Sequence, residues 1–222
     1  MPKLIRASRT SAETRIEAEL SLCRGTIHID SGIGFLDHLL NNLAFHAGWT
    51  LKLNCQGDLV VDDHHSVEDC AIVVGAMFKA ACAATEDQGP IARFGCAFAP
   101  LDEALARAVV DISGRPFFVG ELMLSGEKIG DMACENVGHF LNSFAENAAI
   151  TLHLDVLRGN NDHHKAEAAF KALALALRAA AAVGRLEQGE GAGSKNGAEN
   201  AISTKGRATL SLEVLEEKGA RA

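Results

Sequence analysis

Along residues 13–22 (ETRIEAELSL) apolar side chains alternate with polar ones, placing Ile16, Ala18, Leu20 and Leu22 on one face. Period two predicts a half-buried strand. Arg24-Gly25 turns the chain, and TIHID (26–30) reads as a second short strand. Gly32 and Gly34 punctuate, and Phe35, Leu36, Leu39, Leu40 and Leu43 then recur at helical spacing. Trp49 to Cys55 alternates again and predicts a strand. Gly57-Asp58 turns into Leu59-Val60-Val61, read as another strand. From His64 to about Ala84 the pattern is helical, with Val67, Ile72, Val73, Met77 and Ala80 along it. After a loop at EDQGP (86–90) the order starts again. Strands are predicted at 94–98, 105–112, 117–124 and 150–156, with helices at 135–144 and 163–183.

The second run echoes the first in its chemistry. His38-Leu39-Leu40-Asn41 matches His139-Phe140-Leu141-Asn142, and Trp49–Leu53 matches Ile150–Leu154, both at an offset of 101. Asp63-His64-His65 through Glu68 matches Asp162-His163-His164 through Glu167 at an offset of 99. Such self-similarity marks a duplication. The prediction is an α+β fold in which a strand-strand-helix-strand-strand-helix unit, present twice, forms a two-layer α/β sandwich. The halves are assigned to residues 1–90 and 91–185. Residues 186–222 hold the rest of a Gly-rich loop that begins at 184, an S-T-K-G segment and a polar tail.

Composition narrows the function. The chain has 222 residues, 48% of them hydrophobic, enough to bury a sizeable core. A net charge of −8 lacks the electrostatic footprint of a nucleic-acid binder. Six cysteines (Cys23, Cys55, Cys70, Cys82, Cys96 and Cys134) form no CxxC pair and read as reduced thiols. The first residues carry no apolar secretory core, and no apolar run approaches the ~18–20 residues of a membrane span. A soluble cytoplasmic protein is expected.

The nine histidines carry the chemistry. D-H-H-x-x-E opens each long helix. His64 and Glu68 are four apart and share one helical face, as do His163 and Glu167. Each such pair can grip one divalent ion from a rigid element. His65 and His164 point about 100° away and are free to serve another ion. His38 and His139 add one imidazole per half. Three histidines and one glutamate result for each of two metals, a donor set that suits Mn, Fe, Co, Ni or Zn over Ca or Mg. The working grouping places His64, Glu68, His139 and His164 on one ion, and His163, Glu167, His38 and His65 on the other. His28, His46 and His153 read as surface or packing residues, and Asp62, Asp63 and Asp162 as helix caps or supports for the ligands.

With these residues in view, the sequence resembles the imidazoleglycerol-phosphate dehydratase family. The segments that carry the likeness are R-T-S-A-E-T (9–14), G-F-L-D-H (34–38), D-D-H-H-S-V-E-D (62–69), R-F-G (93–95), P-L-D-E-A-L-A-R (100–107), D-I-S-G-R-P (111–116), D-H-H-K-A-E-A-A-F-K-A-L (162–173) and S-T-K-G (203–206). The resemblance implies a dehydratase of histidine biosynthesis that converts imidazole glycerol phosphate to imidazole acetol phosphate. It implies a site with two Mn²⁺ ions that bind the ring as imidazolate, and a 24-subunit particle with sites shared between subunits. It implies His38, His64, His65, Glu68, His139, His163, His164 and Glu167 as metal ligands and Glu13 as the acid/base carboxylate. It implies Arg93, Arg115, Ser203 and Lys205 around the phosphate and Lys171 at a substrate hydroxyl, with Glu167 and Lys171 counted among the catalytic residues. Asn42, a substrate contact, stands where the family usually has Gln, and the Gly-rich segment before Ser203 is longer than usual. A dinuclear hydrolase and a non-catalytic metal-storage particle are the competing classes; phosphate release would mark the first, and silence of alanine changes at Glu13, Arg93, Arg115 and Lys205 the second.

Overall fold

A computed structural model describes residues 3–85, 89–183 and 209–216. The first half runs β1 (Lys3–Thr10), β2 (Thr14–Ser21), β3 (Ile27–Asp30), α1 (Gly34–Ala47), β4 (Thr50–Gly57) and α2 (His64–Ala83). The second repeats it as β5 (Phe94–Leu101), β6 (Ala104–Asp111), β7 (Phe117–Glu121), a small hairpin of β8 (Lys128–Ile129) and β9 (Met132–Ala133), α3 (Cys134–Ala148), β10 (Thr151–Arg158) and α4 (Asp162–Ala180). A last strand, β11 (Thr209–Glu216), follows.

The sheets carry the duplication in their topology. The first has the order β11-β1-β2-β4-β3 and the second β5-β6-β10-β7. Each is antiparallel apart from one parallel pair, β3 with β4 and β7 with β10. A helix makes each parallel crossover, as a strand returning in the same direction requires. Helices α1 and α2 cover the first sheet, α3 and α4 the second, so each half is a two-layer α/β sandwich. The halves meet through their helices, α1 against α4 and α2 against α3. Rings from both halves fill the centre: Trp49 lies 5.5 Å from Phe78, Phe78 6.1 Å from Phe144, and Phe140 5.4 Å from Phe170. Gly75 lets α2 and α3 approach, since a Cβ there would sit 2.6 Å from the Phe144 carbonyl oxygen.

Three local expectations fail. Leu59-Val60-Val61 is a solvent-facing turn, with Val60 fully exposed; three apolar residues in a row have no periodicity to separate strand from turn. Strand β1 went unassigned because its inward positions are Ile5, Ala7 and the buried Arg9, which blurs the alternation. Strand β11, in a region read as loop and tail, adds to the edge of the first sheet by pairing with β1. The β8–β9 insertion also explains the missed start of the repeat. The first hairpins correspond at an offset of 90 (Thr14 to Ala104), whereas elements beyond the insertion correspond at 101 (Thr50 to Thr151). No cysteine pair is bridged among the described residues, and no helix there is long and apolar enough to cross a membrane.

Candidate active site and metal centres

The first turns of α2 and α4 are built alike. Asp62 accepts the His64 backbone N–H at 2.9 Å, and Asn161 accepts those of His163 and His164 at 2.9 and 3.3 Å. Such caps satisfy N–H groups that a helix start leaves open. The three aspartates set aside as caps or supports divide the work. Asp62 caps, Asp63 accepts the Ala133 N–H, and Asp162 accepts those of Ser125 and Gly126.

Packing of the helices across the two halves assembles two three-residue groups. His38 on α1 meets His163 and Glu167 on α4; His64 and Glu68 on α2 meet His139 on α3. Within each group the candidate donor atoms all lie within 4.8 Å of one another. In the first, Glu167 Oε2 is 2.8 Å from His38 Nε2 and 3.2 Å from His163 Nε2. Its Oε1 is 2.7 Å from Lys171 Nζ. Burial pushes the Glu167 carboxyl up, but Lys171 and His38 outweigh it and hold it at about 2. In the second, His139 Nε2 is buried without a hydrogen-bond partner among the described residues, 3.5 Å from Glu68 Oε1. The His64 and His139 rings stack with centroids 4.5 Å apart. Burial, then the neighbouring His64, pushes the His139 pKa down, which leaves its lone pair available. Two imidazoles, one carboxylate and an unpartnered buried nitrogen fit a divalent transition ion.

His65 and His164 lie outside both groups. Each is bracketed by two carboxylates. His65 Nδ1 is 3.0 Å from Asp58 Oδ2, and its Nε2 is 3.3 Å from Glu13 Oε1. His164 Nδ1 is 2.7 Å from Glu103 Oε2, and its Nε2 is 3.9 Å from Asp102. The Asn161 N–H and His164 hold the exposed Glu103 carboxyl at about 2.

Glu13 sits in the β1–β2 turn, which is tied to α2. Ser11 Oγ accepts the Glu13 and Thr14 N–H groups at 3.1 and 3.0 Å. Thr14 Oγ1 and Arg9 Nη2 donate to the fully buried Asp69 at 2.5 and 2.8 Å. Glu13 Oε2 is buried and has no hydrogen-bond partner among the described residues. A carboxylate oxygen left without a partner is costly unless something else occupies it.

The remaining predicted residues divide by place. Asn42 and Lys171 lie beside the first group; the Asn42 amide is 3.3 Å from His38 Nε2 and donates to the His38 carbonyl at 3.0 Å. His46, read as packing, is one turn further along α1 from Asn42, its pKa lowered by burial and then by Lys171. Arg93 and Arg115 are elsewhere. The Arg93 N–H bonds the carbonyl of Ala180, the last residue of α4, and Thr151, at the start of β10, bonds the Arg115 carbonyl. A 19-residue helix spans about 28 Å, so the Arg93 backbone lies that far from the α4 start. Arg93 meanwhile holds Asp111 with two bonds of 2.7 and 3.2 Å. Ser203 and Lys205 lie outside the described residues.

Sequence reasoning missed Asp58, Glu103 and Asn136, whose Oδ1 is 3.2 Å from His64 Nδ1. Asp58 read as a turn residue. Only the second repeat offset would have marked Glu103, ninety positions after Glu13.

Comparison with known proteins identifies the family. The family model for imidazoleglycerol-phosphate dehydratase matches residues 31–177. A Trichoderma harzianum protein of that name is 54% identical over 80% of this chain and 81% of its own length. One from Saccharomyces cerevisiae is 51% identical over 87% of this chain and 81% of its own. The crystal structure of the Staphylococcus aureus imidazoleglycerol-phosphate dehydratase superposes with a TM-score of 0.71 at 39% identity, covering 80% of this chain and 97% of that one. On these matches, and with its paired histidine–glutamate groups in the matched span, the chain belongs to the imidazoleglycerol-phosphate dehydratase family, a family of hydro-lyases.

Proposed function

We propose that this chain dehydrates imidazole glycerol phosphate to imidazole acetol phosphate in histidine biosynthesis, in the cytoplasm, with two Mn²⁺ ions per active site. The observation that carries the reading is the pair of two-imidazole, one-carboxylate groups, each drawing one helix from each half. Three protein donors are fewer than such ions take, and His65 and His164 are not part of either group. The fourth ligand of each ion therefore comes from a neighbouring copy. His65 of the partner subunit completes the His38 group and His164 of the partner subunit the His64 group, within a particle of 24 subunits. The repeat halves, residues 1–90 and 91–185, are the units that build each chain.

Bound ions would supply Lewis acidity, holding the azole ring and favouring its deprotonated form. The chain's own residues do the rest. Glu13, with one oxygen unpartnered and the other 3.3 Å from His65 Nε2, takes and returns the substrate proton. The Asn42 amide stands 3.3 Å from His38 Nε2 and the Lys171 ammonium 2.7 Å from Glu167 Oε1; there Lys171 contacts a substrate hydroxyl and Asn42 the bound substrate. Arg93, Arg115, Ser203 and Lys205 hold the phosphate, the arginines by their forked donors and lysine as a point charge. Because Arg93 stands about 28 Å from its own α4 start, it serves a site formed by other copies.

The test is turnover of imidazole glycerol phosphate before and after chelation, with metal analysis of the purified protein. Formation of the dehydrated ketone, lost on chelation and restored by Mn²⁺, is expected. Release of inorganic phosphate, or ketone formation that survives complete metal removal, contradicts the reading.

A further inference from the structure

The hairpin that opens each half ends in a glutamate, Glu13 before β2 and Glu103 before β6. The duplication has put these two carboxylates to different uses. Glu13 faces His65 Nε2 and keeps a buried oxygen without a hydrogen-bond partner among the described residues. Glu103 is fully engaged. Its Oε1 accepts the Asn160 and Asn161 N–H groups at 3.1 and 2.8 Å, and its Oε2 lies 2.7 Å from His164 Nδ1. In the first half the Nδ1 side is taken by Asp58, from the loop that follows β4. Two unrelated positions thus reach one arrangement: a carboxylate on Nδ1 of the second histidine, with Nε2 directed away.

From this geometry we propose that Asp58 and Glu103 are positioning residues that lock His65 and His164 in the tautomer whose Nε2 lone pair points outward, ready for an ion held mainly by another copy. The inference rests on the metal reading above. A carboxylate can only accept, so the Nδ1 it touches keeps its hydrogen, and in the neutral ring that an ion needs the lone pair is then on Nε2. The ring is also aimed, because the hydrogen bond fixes its rotation. For His164 the aim is firm, since the same carboxylate is pinned to the helix start by two backbone N–H groups. The groups facing Nε2 are Glu13 in the first half and Asp102, at 3.9 Å, in the second. As carboxylates these offer no donor that would compete with a cation for the Nε2 lone pair of the neutral ring. Partners of this kind typically carry 10–100-fold in metal affinity.

The experiment is a calorimetric titration of the full-length, chelator-stripped protein with manganese(II) chloride, comparing the wild type with Glu103→Gln, Asp58→Asn and Glu13→Gln. Glutamine keeps an oxygen for Asn160 and Asn161 but turns an amide N–H₂ toward Nδ1, which favours the opposite tautomer. Glu103→Gln and Asp58→Asn should each weaken one of the two classes of manganese site by 10–100-fold, and the double variant both. Glu13→Gln should leave both classes unchanged. The melting temperature of the stripped protein should stay near the wild-type value, as a purely structural role would not allow. Should Glu103→Gln lower that temperature, Asp58→Asn, whose carboxylate caps no helix, decides the matter. Wild-type affinity in both variants overturns this inference alone. A wild-type protein that takes up no manganese overturns it together with the reading on which it rests.

Discussion

Glu13, proposed above as the acid/base group, has a setting that shows why composition could not single it out. It is one of 29 acidic residues. What distinguishes it is tertiary: the Ser11 and Asp69 network that fixes its turn, and the oxygen left unpartnered beside His65. The Glu13→Gln change keeps size and shape and removes the base. Turnover should fall by about 10²–10⁴, with manganese stoichiometry unchanged by elemental analysis; near-normal turnover would take Glu13 out of the role. The histidines proposed as ligands were readable because chemistry recurred at matched offsets of 99 and 101. Their Nδ1 partners were not. Asp58 and Asn136 come from a turn and another helix, and no spacing along the chain brings them to the imidazoles; Glu103 is marked only by the ninety-residue offset of the hairpins.

Among the elements, the small β8–β9 hairpin does more than interrupt the repeat. Its turn carries Asp131, whose carboxylate accepts the Gly34 and Phe35 N–H groups at 2.6 and 3.0 Å and so caps α1 of the other half. Helix α1 has no cap of its own from Ile33, and His38 stands in its second turn. Burial pushes the Asp131 carboxyl up, but the Phe35 and Gly34 N–H groups prevail and hold it below the usual 3.8. A group whose folded pKa is depressed adds stability above its unfolded value, and that stability is lost as pH falls below it. Asp131→Ala should therefore cost about 0.5–2 kcal/mol at neutral pH. The gap from the wild type should narrow as pH drops below 3.8; denaturant melts of the metal-free proteins at pH 7 and pH 3 check both statements. A gap that is constant or widens in acid would deny the cap its charge. The hairpin itself was hidden from the sequence by its size, two residues per strand. Strand β1 was hidden by an inward arginine and β11 by its distance from the sheet it joins, whereas the period-two strands and the long helices were plain in the pattern.

For the whole molecule, the two outer sheet faces differ. The first presents Arg6 and Lys52 paired with Glu19; the second pairs Arg107 with Asp155 and exposes Phe94 and Phe98 on β5 and Phe117 on β7. The proposed sharing of sites between copies gives a sharper expectation. Glu13 lies at one end of the helix layer and Arg93 at the other, so a site needing both can draw them from different chains. Arg93→Ala and Glu13→Gln should each be inactive alone, and particles assembled from a mixture of the two should regain measurable turnover. Mixed particles as inactive as either parent would mean that each site is built from one chain. Anomalous diffraction at the manganese edge, from crystals of the manganese-loaded protein, tests the central claim most directly. It should show two peaks per chain, one among His38, His163 and Glu167 and one among His64, Glu68 and His139, each also touched by an imidazole Nε2 from another copy. Cation density absent from both groups, or located only elsewhere, would contradict the account.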